Sequence, residues 1–86
     1  MADIKILTNF RYSVLEYMYD NRDKENVVKL TQIEIATALN LNKNTVNTIF
    51  KELKESGYIS DNVHIGRYNI TQTGIKTVEL FRKTEK

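Results

Sequence analysis

The stretch Thr31–Lys54 reads TQIEIATALNLNKNTVNTIFKELK, and its pattern decides the fold of this chain. Apolar residues recur at helical spacing on both sides of a short polar break at Asn40–Asn42. Apolar residues three and four positions apart mark one face of a helix. We therefore expect two helices joined by a tight turn, with supporting elements before and after them.

The first helix of this pair has clear start and stop signals. Thr31 and Glu34 have the spacing of a capping box, in which the hydroxyl accepts a first-turn amide and the carboxylate reaches back. The helix is predicted to stop at Asn40, because asparagine tolerates the left-handed conformation that a tight turn requires. Its predicted buried side consists of Ile33, Ile35, Ala36 and Leu39.

The second helix is predicted to begin after Asn42, an N-cap residue, and to run from Lys43 to about Ser56. Gly57 follows as the glycine that ends it. Its apolar residues recur at i, i+3, i+4 and i+7, which is one helical face. That predicted core face consists of Val46, Ile49, Phe50 and Leu53.

The two helices meet the positional demands of a helix-turn-helix. Ala36 is the small residue where the helices would cross, and Asn40 stands in the turn. Leu41, Val46 and Ile49 are the apolar anchors. Glycine is more usual than asparagine in such turns, and asparagine is the next best residue sterically. A helical hairpin in another small domain could imitate part of this pattern.

The outward positions of the second helix suggest a nucleic-acid interface. Asparagine and threonine are poor choices for an ordinary exposed helix, because their side chains compete with backbone hydrogen bonds. They can instead hydrogen-bond base edges, while lysine reaches phosphates. A solvated, capped helix start would explain Asn42 and Asn44 but not Asn47 and Thr48. The outward residues are Asn42, Lys43, Asn44, Thr45, Asn47, Thr48 and Lys51.

The N-terminal part of the chain is predicted to form a supporting helix and a short strand. A helix from Thr8 or Asn9 to about Asn21 would have a core face formed by Phe10, Val14, Tyr17 and Met18. Leu15 and Tyr19 lie off that face, either partly exposed or as a second contact surface. Val27–Val28 is a β-branched pair that predicts one short strand at a sheet edge.

The C-terminal part predicts a hairpin and a closing helix. Strands are expected at Tyr58–Ser60 and Arg67–Thr71, with the turn at Asp61–Gly66. Thr71 or Thr73 would cap a helix to about Lys83. Its apolar residues are Ile75, Val78, Leu80 and Phe81, a set too wide for one stripe, which suggests packing on its own core and on a second subunit.

This order of elements predicts a winged helix-turn-helix fold, mainly α with a small β-hairpin (α+β), as a single domain over residues 1–86. Five further residues complete the predicted DNA-binding set: Thr31, Gln32, Lys54, His64 and Arg67. An arginine in the wing gains from the negative potential of a narrow minor groove, although a lone surface arginine often serves solubility alone. His64 has no second histidine or cysteine with which to share a metal.

Composition narrows the function further. The chain has 86 residues, a net charge of +2, one histidine and no cysteine. Residues 1–42 carry five basic and six acidic residues (5 − 6 = −1), and residues 43–86 carry eight and five (8 − 5 = +3). That asymmetry agrees with a basic binding face and also with random scatter. We expect no catalytic site, no metal or cofactor and no membrane span, hence a soluble cytoplasmic protein.

The whole pattern resembles the winged helix-turn-helix DNA-binding proteins of bacteria, plasmids and phages. The runs GYI at Gly57–Ile59, IGR at Ile65–Arg67 and TQTGIKTVELFRK at Thr71–Lys83 are similar to the TubR family of centromere-binding adaptors. That resemblance implies a homodimer that binds repeated sites on double-stranded DNA, represses its own operon and presents the DNA to the tubulin-like GTPase TubZ. It also implies that Lys43–Lys54 enters the major groove.

Two alternatives stay open at the level of sequence. The chain also resembles MarR-type and ArsR-type transcriptional repressors, which share the central motif. A winged helix can also serve protein–protein contact, in which case the Asn/Thr face would bind a protein.

Overall fold

The computed structural model describes residues 10–62 and 67–84, which form four helices and a three-stranded antiparallel sheet. The elements are α1 (Tyr12–Asp20), β1 (Val27–Val28), α2 (Gln32–Leu39), α3 (Lys43–Glu55), β2 (Ile59–Asn62), β3 (Arg67–Ile70) and α4 (Gln72–Thr84). This order confirms the predicted winged helix-turn-helix fold. The predicted helix start at Thr8 or Asn9 lies outside the described residues.

The first helix buries a broader face than the one that the sequence predicts: Val14 and Met18 are buried as expected. Leu15, which was expected off the core face, is fully buried, whereas Phe10 is 58% exposed. The reason is that α1 packs on α2 and α3 on one side and on α4 on the other. A helix between two sets of neighbours needs a broader apolar arc than a single stripe.

The contacts of α1 with α4 confirm that Tyr19 belongs to a second contact surface, whereas Leu15 is buried in the core. The rings of Tyr12 and Phe81 stack with centroids 4.8 Å apart. The Tyr19 hydroxyl donates to the Glu79 carboxylate at 3.1 Å. Aromatic pairs of this kind add about 0.5–1.5 kcal/mol beyond their area burial. The closing helix is therefore held on α1 along much of its length.

Charged side chains reinforce the same α1–α4 contact. Arg82 Nη2 donates to Asp20 at 2.7 Å, and Arg82 Nε donates to Glu16 at 2.9 Å. These hydrogen bonds, first to Asp20 and then to Glu16, raise the pKa of the Arg82 guanidinium. One arginine thus joins two carboxylates one helical turn apart, which fixes the position of α4 along α1.

The predicted caps of the central helices are present. The Thr31 hydroxyl accepts from the Glu34 amide at 3.1 Å, and the Thr31 amide donates to the Glu34 carboxylate at 2.8 Å. At the other end of the pair, Gly57 has a φ of 83°. The Tyr58 amide donates to the Leu53 carbonyl at 2.9 Å, which completes a Schellman ending of α3.

The predicted core face of α3 is confirmed, and that of α2 is partly wrong. Val46, Ile49, Phe50 and Leu53 are all buried, as are Ile35 and Ala36 of α2. Ile33, which was expected in the core, is 57% exposed. Residues two positions apart on a helix point about 200° apart, so Ile33 cannot share the face of Ile35.

The sheet confirms Val27–Val28 as an edge strand and lengthens the hairpin. The strand order is β1-β3-β2, with β3 in the centre. The predicted end of β2 at Ser60 is wrong, because Asp61 and Asn62 continue the ladder opposite Tyr68 and Arg67. An antiparallel register matches each β3 residue with a partner, so β2 extends as far as β3 does.

The start of α4 is held against the end of α3. Thr71, not Thr73, caps the helix, since its hydroxyl accepts from the Gly74 amide at 3.1 Å. The Thr71 amide donates to the Tyr58 carbonyl at 3.0 Å. Gly74 is buried beneath that same carbonyl. A Cβ at this position would overlap the Tyr58 carbonyl oxygen and lie 2.8 Å from Ile70 Cγ1.

We predict that Gly74→Ala destabilises the fold by about 1–3 kcal/mol, the cost of overpacking, despite the better helix propensity of alanine. Urea unfolding followed by circular dichroism measures this change. Lys76→Ala, at an exposed site on the same helix, is the control and should shift stability by less than about 0.5 kcal/mol. A Gly74→Ala midpoint equal to that of the unmodified chain would show that the backbone has room here.

Candidate nucleic-acid interface

The turn between α2 and α3 has the geometry that the sequence predicts. Asn40 is left-handed, with φ 57° and ψ 46°. The Leu41 amide donates to the Ala36 carbonyl at 2.8 Å, which closes the turn directly over the small residue. Leu41 is half-buried against the core, and Val46 and Ile49 are buried beneath the second helix. These contacts fix the rotation of α3 on α2.

That rotation leaves the polar face of α3 exposed. All of its predicted base-reading and phosphate-contacting residues are exposed: Lys43, Asn44, Thr45, Asn47, Thr48, Lys51 and Lys54. Asn44, Thr48 and Lys51 follow at i, i+4 and i+7, so they share one outward stripe. The exposed residues of this face carry amide, hydroxyl and ammonium groups, and none of them is hydrophobic.

Besides Lys54, three residues that the structure describes from the predicted set use their side chains in hydrogen bonds within the protein. Asn42 Oδ1 accepts from the Asn44 amide at 2.7 Å, so its carbonyl caps α3 while its amide group can still donate. Thr31 serves in the capping box of α2. Gln32 Nε2 donates to the Tyr68 hydroxyl at 3.2 Å, which ties the start of α2 to the wing. These residues position the helices, and their roles toward DNA stay predictions.

A cleft of about 310 Å³ brings other predicted residues together. It lies between the start of α2, the start of α3 and the wing. Lys43 and Arg67 supply two cations from different elements, and none of the described residues that line the cleft has a carboxylate side chain. The lining residues are Leu30, Thr31, Gln32, Ile33, Lys43, Arg67 and Tyr68. Cations in such a groove attract a phosphate backbone and fix its register.

Sequence reasoning missed the role of Tyr68. Its ring meets Phe50 edge to face with centroids 4.6 Å apart, and its hydroxyl accepts from Gln32. Tyr68 therefore joins the wing to both helices of the helix-turn-helix. The alternation of Tyr68 and Ile70 in β3 signalled a half-buried aromatic residue, but not its partners. His64, the other predicted wing contact, lies outside the described residues.

Lys54 differs from the other predicted phosphate-contacting lysines because it has a carboxylate partner. Its ammonium lies 3.3 Å from Asp61 Oδ2, across the groove between α3 and β2. The sequence predicts Lys54 as a DNA contact and says nothing of Asp61, because the two residues meet through the register of the wing.

A charged pair also supports α3 from behind. Arg11 Nε donates to Glu52 Oε1 at 2.5 Å, and Arg11 Nη2 donates to Glu52 Oε2 at 2.9 Å. This bidentate contact lowers the pKa of the Glu52 carboxyl and raises the pKa of Arg11, chiefly through the hydrogen bonds between them. It joins α1 to the side of α3 opposite the wing.

The described part of the chain offers little chemistry beyond hydrogen bonding and charge. Among residues 10–62 and 67–84, no cluster of His, Asp and Glu side chains could hold a metal ion. None of the helices in these ranges is long and apolar enough to cross a membrane.

Comparison with known families agrees with this geometry. The model of the Crp-like helix-turn-helix domain matches residues 12–73, which is most of the chain and includes α1, the helix-turn-helix and the wing strands. The chain belongs to the Crp-like helix-turn-helix family. The resemblance to TubR in particular is not shown by this match, which is to the broader fold family.

Two solved structures resemble this Crp-like domain. One is MepR, a transcription regulator of the Staphylococcus aureus multidrug efflux pump MepA, with 30% identity and a TM-score of 0.72. The alignment covers 95% of this chain and 62% of MepR. The other is the S. aureus MepR–DNA complex, with 30% identity, a TM-score of 0.67 and coverage of 88% and 56%. The Crp-like domain thus spans less than two-thirds of MepR. No curated protein sequence matches this chain.

We predict that Glu52→Gln makes the Crp-like domain less stable at neutral pH, by up to about 1 kcal/mol because the pair is partly exposed. The folded-state pKa of Glu52 is lowered, so the pair stabilises above the unfolded pKa of about 4.3 and the benefit is lost as pH falls through the lower folded value. Urea midpoints at several pH values should therefore converge for the two proteins in acid. Glu55→Gln, an exposed change on the same helix, is the control. A difference independent of pH would contradict this origin.

Proposed function

We propose that this chain is a sequence-specific double-stranded-DNA-binding transcription regulator that acts without catalysis. The observation that carries the proposal is the exposed Asn/Thr/Lys face of α3, held outward by the buried contacts of its other side. In this reading α3 enters the major groove. Asn47 and Thr48 read base edges, while Lys43 and Lys51 contact phosphates.

The wing side of the interface supports the same reading. Arg67 and Lys43 face one cleft beside the start of α3. A phosphate backbone that passes through this cleft would place the adjoining groove against α3. Arg67 then contacts either that backbone or the neighbouring minor groove. The likeness to a MepR–DNA complex supports a DNA partner, because the alignment with that structure covers 88% of this chain.

We further propose that the chain binds DNA as a homodimer through α1 and α4. Phe10 and Leu80 are large apolar residues that are 58% and 59% exposed. Exposed apolar residues just before α1 and on α4 fit an interface between two copies, and two-fold symmetric DNA sites favour a dimer.

The finer function that we propose is that of a TubR-like centromere-binding adaptor that also represses its own operon. The sequence runs at Gly57–Ile59 and Thr71–Lys83 support it. In that role the dimer binds repeated sites and presents them to a TubZ-like GTPase. A MarR-type or ArsR-type repressor is the second candidate, and the likeness to the transcription regulator MepR favours it.

Genomic context and direct binding separate these two candidates. A gene for a tubulin-like GTPase next to this one, with tandem repeats upstream, supports the partition role. Co-sedimentation of the polymerised GTPase with the chain and the repeat DNA would then test the adaptor role directly. A single operator without such a neighbour supports simple repression.

We predict that Asn47→Ala weakens binding to the chain's own upstream DNA by about 1–3 kcal/mol, the value of a bidentate base contact, and leaves binding to a random duplex nearly unchanged. Lys51→Ala should weaken binding to both duplexes. It should also make the salt dependence of binding shallower, by the equivalent of about one phosphate contact. Fluorescence anisotropy at several salt concentrations measures both effects. Equal losses of Asn47→Ala on the two duplexes would sink the base-reading role. Absence of binding by the unmodified chain at low and moderate salt would favour a protein partner instead.

We predict that Leu80→Glu dissociates the dimer, raising its dissociation constant at least about tenfold, because a charge would be buried without a partner. Sedimentation velocity over a range of concentrations measures the change. Leu80→Met, which keeps an apolar side chain of similar size, should leave the dimer intact. A dimer that persists in Leu80→Glu would place the interface elsewhere, and an unmodified chain that sediments as a monomer would exclude this dimer.

A further inference from the structure

Lys54, a lysine that the sequence assigns to DNA, is paired with a carboxylate in the free protein. Its ammonium lies 3.4 Å from Asp61 Oδ1 and 3.3 Å from Oδ2. The two distances are nearly equal, so the ammonium faces both carboxylate oxygens. The Lys54 and Asp61 side chains are 37% and 53% exposed, so solvent and a DNA backbone can both reach the pair.

The fold positions Asp61 for this pair, so the pair does not depend on the flexibility of the lysine alone. Asp61 lies in β2 opposite Tyr68, and Ile59 lies opposite Ile70. Residues two apart in a strand point to the same face, and Ile59 is buried in the core. The strand therefore directs the Asp61 carboxylate toward the side of the sheet that α3 covers. Lys54, in the last turn of α3, meets it there.

Lys54 lies on the side of α3 that faces the wing. Lys43, at the other end of the helix, lines the cleft that it shares with Arg67. Lys43, Asn47 and Lys54 are spaced i, i+4 and i+11, so they follow one side of the helix. A DNA backbone that passes Lys43 on this side is also within reach of Lys54. The Asp61 carboxylate both neutralises Lys54 and repels a nearby phosphate.

We propose that Asp61 restrains the affinity of this chain for DNA by occupying Lys54, so that binding depends more on the base-reading residues of α3. The inference rests on the proposed DNA-binding function and assigns to Asp61 a role in limiting the affinity for any duplex. The pair is exposed, and exposed ion pairs contribute little to stability. A phosphate can therefore displace the carboxylate, and the restraint appears as a weaker affinity for every duplex rather than as a block.

The test is a cycle of three variants: Asp61→Asn, Lys54→Gln and the double variant. Binding to a labelled random duplex is measured by fluorescence anisotropy between about 50 and 200 mM salt. Asp61→Asn should bind about twofold to tenfold more tightly, with a salt dependence steeper by up to about one phosphate contact. The double variant should bind no more tightly than Lys54→Gln, because the freed lysine is then missing.

Glu25→Gln is the matched control, since it makes the same change of net charge at an exposed site in the loop before β1. That loop joins β1 where Val27 pairs with Asn69, at the end of the sheet away from the β2–β3 turn. Its affinity for the random duplex should stay within about twofold of the unmodified value. An equal gain in Glu25→Gln and Asp61→Asn would mean that net charge alone acts, which overturns the proposal.

Two further outcomes would overturn the restraint while leaving DNA binding in place. One is an Asp61→Asn affinity and salt dependence equal to those of the unmodified chain. The other is a gain that persists in the double variant, which would exclude Lys54 as the group released. Failure of the unmodified chain to bind any duplex at any salt concentration would instead overturn the proposed function, and the restraint with it.

Discussion

The close crossing of α2 and α3 at Ala36 is the constraint on which the rest of the structure depends. The left-handed Asn40 reverses the chain, and the Leu41 amide returns to the Ala36 carbonyl. Val46 and Ile49 then bury the inner side of α3, where each such side chain contributes roughly 1.5–3 kcal/mol. A larger residue at the crossing would separate the helices and turn the polar face of α3 away from its present direction.

The supporting elements hold this crossing from several sides. On one side of α3, Arg11, which immediately precedes α1, makes a bidentate contact with Glu52. On the wing side, Tyr68 packs against Phe50 and links β3 to the start of α2. The closing helix packs chiefly on α1. It completes the apolar core around α1. Its outer side is exposed and contacts the second copy in the dimer that we propose.

The unbalanced positive charge is not distributed evenly along the polar face of α3. Lys43 and Arg67 share a cleft in which no residue of the described ranges contributes a carboxylate, whereas Lys54 is balanced by Asp61. Attraction for phosphates is therefore strongest near the start of α3 and weaker near its end. A regulator that must find one site among many random ones gains from such a balance, because the sequence-independent attraction stays modest.

The sequence by itself determined the helix pair, its caps and the left-handed turn, because these depend on residues within a few positions of one another. The β-branched pair Val27–Val28 also indicated the edge strand, although its partner β3 lies far along the chain. Local spacing also found the core face of α3 and its polar side. Tertiary structure alone decided the burial of Leu15, the exposure of Ile33, and the pairing of Lys54 with Asp61. Each of these depends on which elements become neighbours: α1 lies between two partners, α2 has one buried side, and the register of the wing brings a carboxylate to α3. The spacing of residues along the chain does not show which elements become neighbours in the folded protein.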